Sequence, residues 1–137
     1  NFKKTISTQI MPENHKSAVG AWGEKVAAWY LAQKGYTIKH QHYTSRFGEV
    51  DLIVEKDGCT VFVEVKARLT AGYGEPEQAV NWHKLKKLRR VVLAYLSRNN
   101  IENFRIDVVA IMNLREKGKI KIRHHQNISD SMGKLWF

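Results

Sequence analysis

Two runs of alternating side chains joined by a short turn constrain this chain most tightly. From Glu49 to Glu55, Val50, Leu52 and Val54 share one face, and Glu49, Asp51, Ile53 and Glu55 share the other. Lys56-Asp57-Gly58 follows, and Asp-Gly supplies the positive φ angles that a tight hairpin needs. From Cys59 to Arg68, Val61, Val63, Val65 and Ala67 face one way; Thr60, Phe62, Glu64, Lys66 and Arg68 face the other. A period of two over both runs excludes an all-helical bundle and demands a sheet. With 137 residues, 43% of them hydrophobic, the chain can bury a core around that hairpin, so global disorder is excluded. One domain is expected over residues 16–137, with residues 1–15 as a flexible arm.

The remaining elements follow from spacing. Ser17 to Lys34 is helical, with Val19, Trp22, Val26, Trp29 and Tyr30 at steps of three and four. Ser17 is its expected N-cap and Gly35 its left-handed C-cap. Tyr36 to Tyr43 forms a short strand and Ser45 to Gly48 a turn. Leu69 to Glu75, with Gly72 and Gly74, forms a loop, and Pro76 opens a helix that ends near Asn99. That helix should bury Leu85, Leu88, Val92 and Leu96 and expose Lys84, Lys86, Lys87, Arg89 and Arg90. Strands are expected at Phe104–Met112 and Lys119–His125. The order is α-β-β-β-α-β-β, an α/β fold with a mixed sheet flanked by helices.

Charge is distributed unevenly. Residues 78–137 carry thirteen Lys and Arg against four Asp and Glu; residues 1–77 carry ten against nine. A +10 chain with its base concentrated in one half suits a polyanionic partner. The single cysteine, Cys59, excludes an internal disulfide and a cysteine-based zinc cage, which fits the reducing cytoplasm. No apolar run approaches the roughly 18 residues of a membrane span, so no membrane partner is expected.

The chemistry sits in the hairpin. Glu49 and Asp51 share a strand face, as do Glu64 and Lys66, and if those faces coincide three carboxylates meet one ammonium. Neighbouring carboxylates raise each other's pKa unless a cation lies between them. A hard divalent ion with oxygen ligands relieves that repulsion, which points to Mg²⁺ or Mn²⁺. The plainer alternative is a solvent-face ion pair worth a few tenths of a kcal/mol. Against it, Phe62 shares the face of Glu64 and Lys66, so that face is at least partly covered, and covered charges need a reason.

An ordered set of motifs runs through the chain. Gly20-x-x-Gly23-Glu24, Ala28-x-Tyr30-Leu31, Gly35-Tyr36-x-Ile38, Arg46-Phe47-Gly48-Glu49-Val50-Asp51-Leu52-Ile53 and Val61-Phe62-Val63-Glu64-Val65-Lys66-x-Arg68 follow in turn. Gly74-x-Pro76, Ala79-Val80, Lys84 and Arg105-Ile106-Asp107-Val108-Val109-Ala110 come later. Over about residues 18–125 this resembles the YraN-like family of predicted endonucleases, which is similar to archaeal Holliday-junction resolvases. Both fall in the restriction-endonuclease-like superfamily with its PD-(D/E)-x-K signature. The resemblance implies a metal-dependent DNA endonuclease, acting on branched DNA such as four-way junctions and working as a homodimer. By the same resemblance, Asp51 is the signature's first acid, Glu64 its second and Lys66 its lysine; Val50 stands where the superfamily writes Pro. Asp51, Glu64 and the Val65 carbonyl would hold Mg²⁺ or Mn²⁺, with Glu24 closing the shell directly or through water. Glu49 is either a further ligand or an acid just behind the ligands. Lys66 would orient the attacking water and offset charge on the pentavalent phosphorus.

Around this centre, Arg46, Arg68, Lys84, Lys86, Lys87, Arg89 and Arg90 are candidates for backbone contacts to DNA, with little sequence preference. Tyr73 is a candidate for stacking on a base. Gln78 with Trp82 resembles the Gln-x-x-x-Tyr element of some nucleases in the superfamily; otherwise it is an exposed Gln beside a core Trp. Asp107 reads as a structural acid, and Trp22, Trp29 and Trp82 as core. Two other functions compete: a non-catalytic nucleic-acid-binding module with this fold, and a protein-interaction domain whose basic half meets an acidic partner. The four groups Glu24, Asp51, Glu64 and Lys66 favour the enzyme, because a binder needs no such set.

Overall fold

In a computed structural model, the described residues are 16–69, 82–114 and 118–128. They form helix α1 (Lys16–Gln33), strands β1 (Thr37–Ser45), β2 (Gly48–Lys56) and β3 (Cys59–Arg68), helix α2 (Trp82–Asn99), and strands β4 (Phe104–Leu114) and β5 (Lys119–His125). The five strands lie side by side in chain order. Only β3 and β4 run parallel, and α2 lies between them in the chain; the other neighbours are antiparallel. The mixed α/β fold read from spacing is therefore the fold observed. No described helix is long and apolar enough to cross a membrane.

Helix α1 covers one face of the sheet. Trp22, Val26, Ala27 and Leu31 pack on Leu52, Val54, Val61, Val63, Val65, Val109 and Ile111. Helix α2 covers the opposite face with Leu88, Val91, Val92 and Tyr95 against Val50, Ile53, Phe62 and Ile106. The central strand β3 is thus buried on both sides, and among Val61, Phe62, Val63, Glu64 and Val65 no residue is more than 9% exposed. Near-continuous burial is the mark of a strand covered on both faces, and Glu64 is the one charged residue among these five.

Both helices end by the same device. Gly35 takes φ 92°, and Tyr36 N–H donates to the Leu31 carbonyl while Gly35 N–H donates to that of Ala32. Asn100 takes φ 53°, with Ile101 N–H on the Leu96 carbonyl. The Gly35 cap agrees with the sequence. Ser17, by contrast, lies inside α1 rather than capping it, because the helix begins one residue earlier. Trp29 is only half-buried; the buried stripe of α1 runs instead through Trp22, Val26, Ala27 and Leu31.

The β1–β2 turn is tighter than the motif suggested. Ser45 pairs with Gly48, so the loop is Arg46-Phe47 alone, and both strands extend to it. The Ser45 hydroxyl accepts from Phe47 N–H at 3.2 Å and donates to the Gly48 carbonyl at 3.3 Å, which fixes the turn. One face assignment fails in β2. Val50 packs with Ile53 and Phe62 on the α2 side, not with Leu52 and Val54. The alternation slips next to Asp51, opposite His42, whose φ of 53° is left-handed. Residues 1–15, the loop at 70–75, the Pro76 helix start, Tyr73 and Gln78 lie outside the described residues, and the side chain of Trp82 is likewise not described.

At Gly23 α1 lies tight against β3: a Cβ there would lie 2.6 Å from Ala67 Cβ. Gly23→Ala should therefore destabilise the fold by about 1–3 kcal/mol through overpacking, although helix propensity alone favours Ala by about 1 kcal/mol. Denaturant unfolding checks the sign, and adding Ala67→Gly should recover most of the loss.

Candidate metal centre

The pairing of β2 with β3 runs from Lys56↔Cys59 to Leu52↔Val63. Past that point Asp51 reaches across to the next strand, its Oδ2 accepting the Val65 N–H at 2.8 Å. Asp51 thus stands where the two strands cease to pair. On the α2 side Glu64 approaches the same place, 3% exposed. On the α1 side Glu24 comes down from its helix, and Glu24, His42 and Asp51 each place a ligand atom within 4.8 Å of the others. Asp51 connects the two sides and acts electrostatically on both glutamates.

Glu64 has two cations. Lys84 Nζ of α2 sits against its Oε1, and Lys66 Nζ lies 3.8 Å from the same oxygen. That oxygen is enclosed, and Lys84 is its closer partner, with Lys66 at longer range. Burial, and then the Asp51 charge, push the Glu64 carboxyl up to about 7 despite both lysines. Burial, and then the adjacent Lys84 ammonium, pull Lys66 down to about 8. Burial also opposes the Lys84 charge, but the Glu64 carboxylate outweighs it and holds that ammonium above its usual range. Burial raises Glu24 as well, with Asp51 as the second cause.

These positions correct one expectation. Lys84, expected to be exposed, is only half-exposed and is engaged with Glu64. Arg89 is half-buried, its Nε enclosed and without a hydrogen-bond partner. Lys86, Lys87 and Arg90 are exposed as expected. Arg46, at the hairpin tip, stacks over Phe47 at 4.8 Å, and Arg68 is half-buried at the end of β3. Glu49 is exposed and lies against the His42 ring. Between the hairpin tip and α2 lies a cleft of about 620 Å³, lined by Thr44, Ser45, Gly48, Glu49, Lys84 and Lys87, with Glu64 also on its wall.

His42 was missed in the sequence. Its Nδ1 lies 3.3 Å from Glu24 Oε1 and its Nε2 3.1 Å from Glu49 Oε2. Hairpin arithmetic could have found it: once Ser45 opposes Gly48, counting outward sets position 42 against position 51. Asp107, by contrast, is a satisfied structural acid. Arg105 Nε donates to it at 3.0 Å, Asn127 N–H at 2.9 Å, and His124 Nε2 lies 2.7 Å away. Burial works against its charge, but these bonds outweigh it and hold the carboxyl below its usual range.

The donor set fits a divalent cation: Glu24 and Asp51 bring carboxylate oxygens from α1 and β2 to one place, with Glu64 of β3 on the other side of Asp51. Burial first, then the Asp51 charge, raises both glutamates, as is expected of carboxylates with no cation between them. A pH signature follows for the metal-free protein. Below about 4.5 Glu64 is protonated folded and unfolded; as pH rises toward about 7 only the unfolded chain releases the proton freely. Stability contributed by the protonated group is therefore lost across that window. Glu64→Gln removes the effect, so its advantage over wild type should grow from none near pH 4.5 to on the order of 3 kcal/mol above pH 7. Thermal unfolding in chelator at several pH values checks this, and a constant difference would contradict it.

Residues 23–111 match a family model described as "Uncharacterised protein family UPF0102". A UPF0102 protein of Syntrophomonas wolfei subsp. wolfei is 44% identical over 108 residues, covering 77% of this chain and 92% of the relative. Another, from Caldanaerobacter subterraneus subsp. tengcongensis, is 36% identical over 120 residues, covering 85% and 98%. A third, from Rhodococcus jostii, is 44% identical over 100 residues, covering 72% and 85%. With the motifs in order and most of the chain matched, this protein belongs to the UPF0102 family, the YraN-like family that its sequence resembles.

Proposed function

We propose that this protein is a metal-dependent endonuclease that hydrolyses phosphodiester bonds of DNA, branched DNA included. The observation that carries the reading is the buried Glu64 carboxylate, flanked by Lys66 and Lys84 and set against Asp51. A buried acid beside a second acid costs stability, so a fold that keeps Glu64 next to Asp51 and two lysines keeps it for chemistry. Asp51, Glu64 and the Val65 carbonyl would hold Mg²⁺ or Mn²⁺, with Glu24 closing the shell. Once bound, that ion supplies Lewis acidity toward the phosphate and lowers the pKa of water.

The chain's own groups do the rest. Lys66, drawn down to about 8, can hold the attacking water and offset the negative charge that builds on phosphorus. The cleft beside Glu64 is wide enough for a phosphodiester with its flanking sugars, and Lys87 lines it. Lys86, Lys87 and Arg90 on the outer side of α2 would grip neighbouring phosphates, giving affinity with little sequence preference. A homodimer would supply the second centre needed to cut two strands. The competing reading, a non-catalytic DNA-binding module, has one observation in its favour: Lys84 and Lys66 already offset the Glu64 charge without a metal.

Nicking of branched and linear DNA with Mg²⁺ or Mn²⁺ separates the two. Asp51→Asn, Glu64→Gln and Lys66→Ala should each lower cleavage by at least about 10²-fold while folding and DNA binding survive. Wild type that binds tightly yet cuts no substrate in a broad panel would leave only the binding module. For binding itself, replacing Lys86, Lys87 and Arg90 by Ala should weaken affinity for every sequence. The slope of log K against log salt should then flatten by about 0.9 for each phosphate contact removed. An unchanged slope would mark that face as merely solvated.

A further inference from the structure

His42 lies outside the motif positions that carry the family resemblance, yet it stands at the metal centre. Its ring is shared between two carboxylates. Nδ1 faces Glu24 at 3.3 Å, in the cluster that includes Asp51, and Nε2 faces Glu49 at 3.1 Å. Donors around an ion at about 2.1 Å sit about 3.0 Å apart when octahedral and about 3.4 Å apart when tetrahedral. The Nδ1–Glu24 separation falls between those values. Metal-bound histidines almost always donate the far ring N–H to a carboxylate, which fixes the ring and strengthens the ligand. Glu49 occupies that place. A second ligand is already fixed, since the Val65 N–H holds Asp51.

We propose that Glu24, His42 and Asp51 form a binding site for a first-row transition ion such as Mn²⁺, with His42 Nδ1 as a nitrogen ligand and Glu49 orienting the ring through Nε2. The site adjoins Glu64, which is not part of the cluster, and Asp51 is common to both. An imidazole ligand suits Zn²⁺, Fe²⁺ or Ni²⁺. Mn²⁺ leans toward oxygen, which the two carboxylates supply, and as a transition ion it takes the added nitrogen more readily than Mg²⁺, so His42 sets a preference against Mg²⁺ that an all-oxygen site lacks. The inference rests on the metal-dependent reading of this centre only in sharing Glu24 and Asp51 with it. The plainer alternative is an exposed histidine pairing with surface acids, worth under about 1 kcal/mol.

Mn²⁺ added to metal-stripped protein gives a direct test, read by electron spin echo modulation from ¹⁴N. Wild type should show modulation from a coordinated imidazole; His42→Ala should lose it, and His40→Ala, two residues along β1, should keep it. Titration calorimetry should find Mn²⁺ bound about 10–100-fold more weakly by His42→Ala and by Glu49→Gln, with Mg²⁺ affinity of His42→Ala nearly unchanged. No nitrogen modulation in wild type, or modulation that persists without His42, overturns the proposal. DNA cleavage measured alongside keeps the two readings apart. Cleavage without a nitrogen signal sinks His42 as ligand and leaves the nuclease; a nitrogen signal without cleavage does the reverse.

Discussion

A carboxylate at the centre of a sheet covered on both faces is the constraint around which this molecule is arranged. Glu64 interrupts a strand of valines and phenylalanine and is almost fully withdrawn from water. Its neighbours answer to that fact. Lys84 is drawn off the outer face of α2, Lys66 shares the same oxygen at longer range, and the β2–β3 ladder ends just where Asp51 would otherwise have to pair beside it. None of this is the cheapest way to fill a core. Replacing such a charge cluster by packed hydrocarbon is commonly neutral or stabilising, so the cluster is not explained by stability, and the proposed metal chemistry would give it a use.

The two polar centres of the fold make the contrast plain. Asp107 is just as buried, but Arg105, His124 and the Asn127 N–H saturate it, and its carboxyl lies low. It ties the start of β4 to the end of β5 and asks for nothing more. Around Glu64 and Glu24 the acids lie high, even though Lys84 and Lys66 stand against the enclosed Glu64 oxygen. Satisfied networks hold structure; unsatisfied ones hold capacity.

Much of the fold was legible because it rests on local rules. The period of two, Asp57-Gly58 and Gly35 wrote the hairpin and the first helix cap into the sequence, and β3 and β5 have the bounds that alternation gave them. The carboxylates of the hairpin were legible for the same reason. What escaped was set by tertiary approach. His42 depends on how many residues the Arg46-Phe47 turn consumes, and a count wrong by one would send its side chain to the other face. Lys84 looked like its neighbours Lys86 and Lys87, and only the docking of α2 singles it out. Val50 left its expected face because alternation assumes an unbroken strand, and β2 slips beside Asp51.

The parallel pairing of β3 with β4 across a helix has a consequence for the order of events in folding. The β1–β2–β3 meander needs only short loops, whereas β4 joins β3 through the longer crossover that carries α2. In any route that builds the meander first, Glu64 stands on an open face, hydrated and inexpensive. Its dehydration falls at the docking of α2, and that helix brings Lys84 with it. On such a route the cost and its compensation arrive in the same step, and the charge is not buried alone.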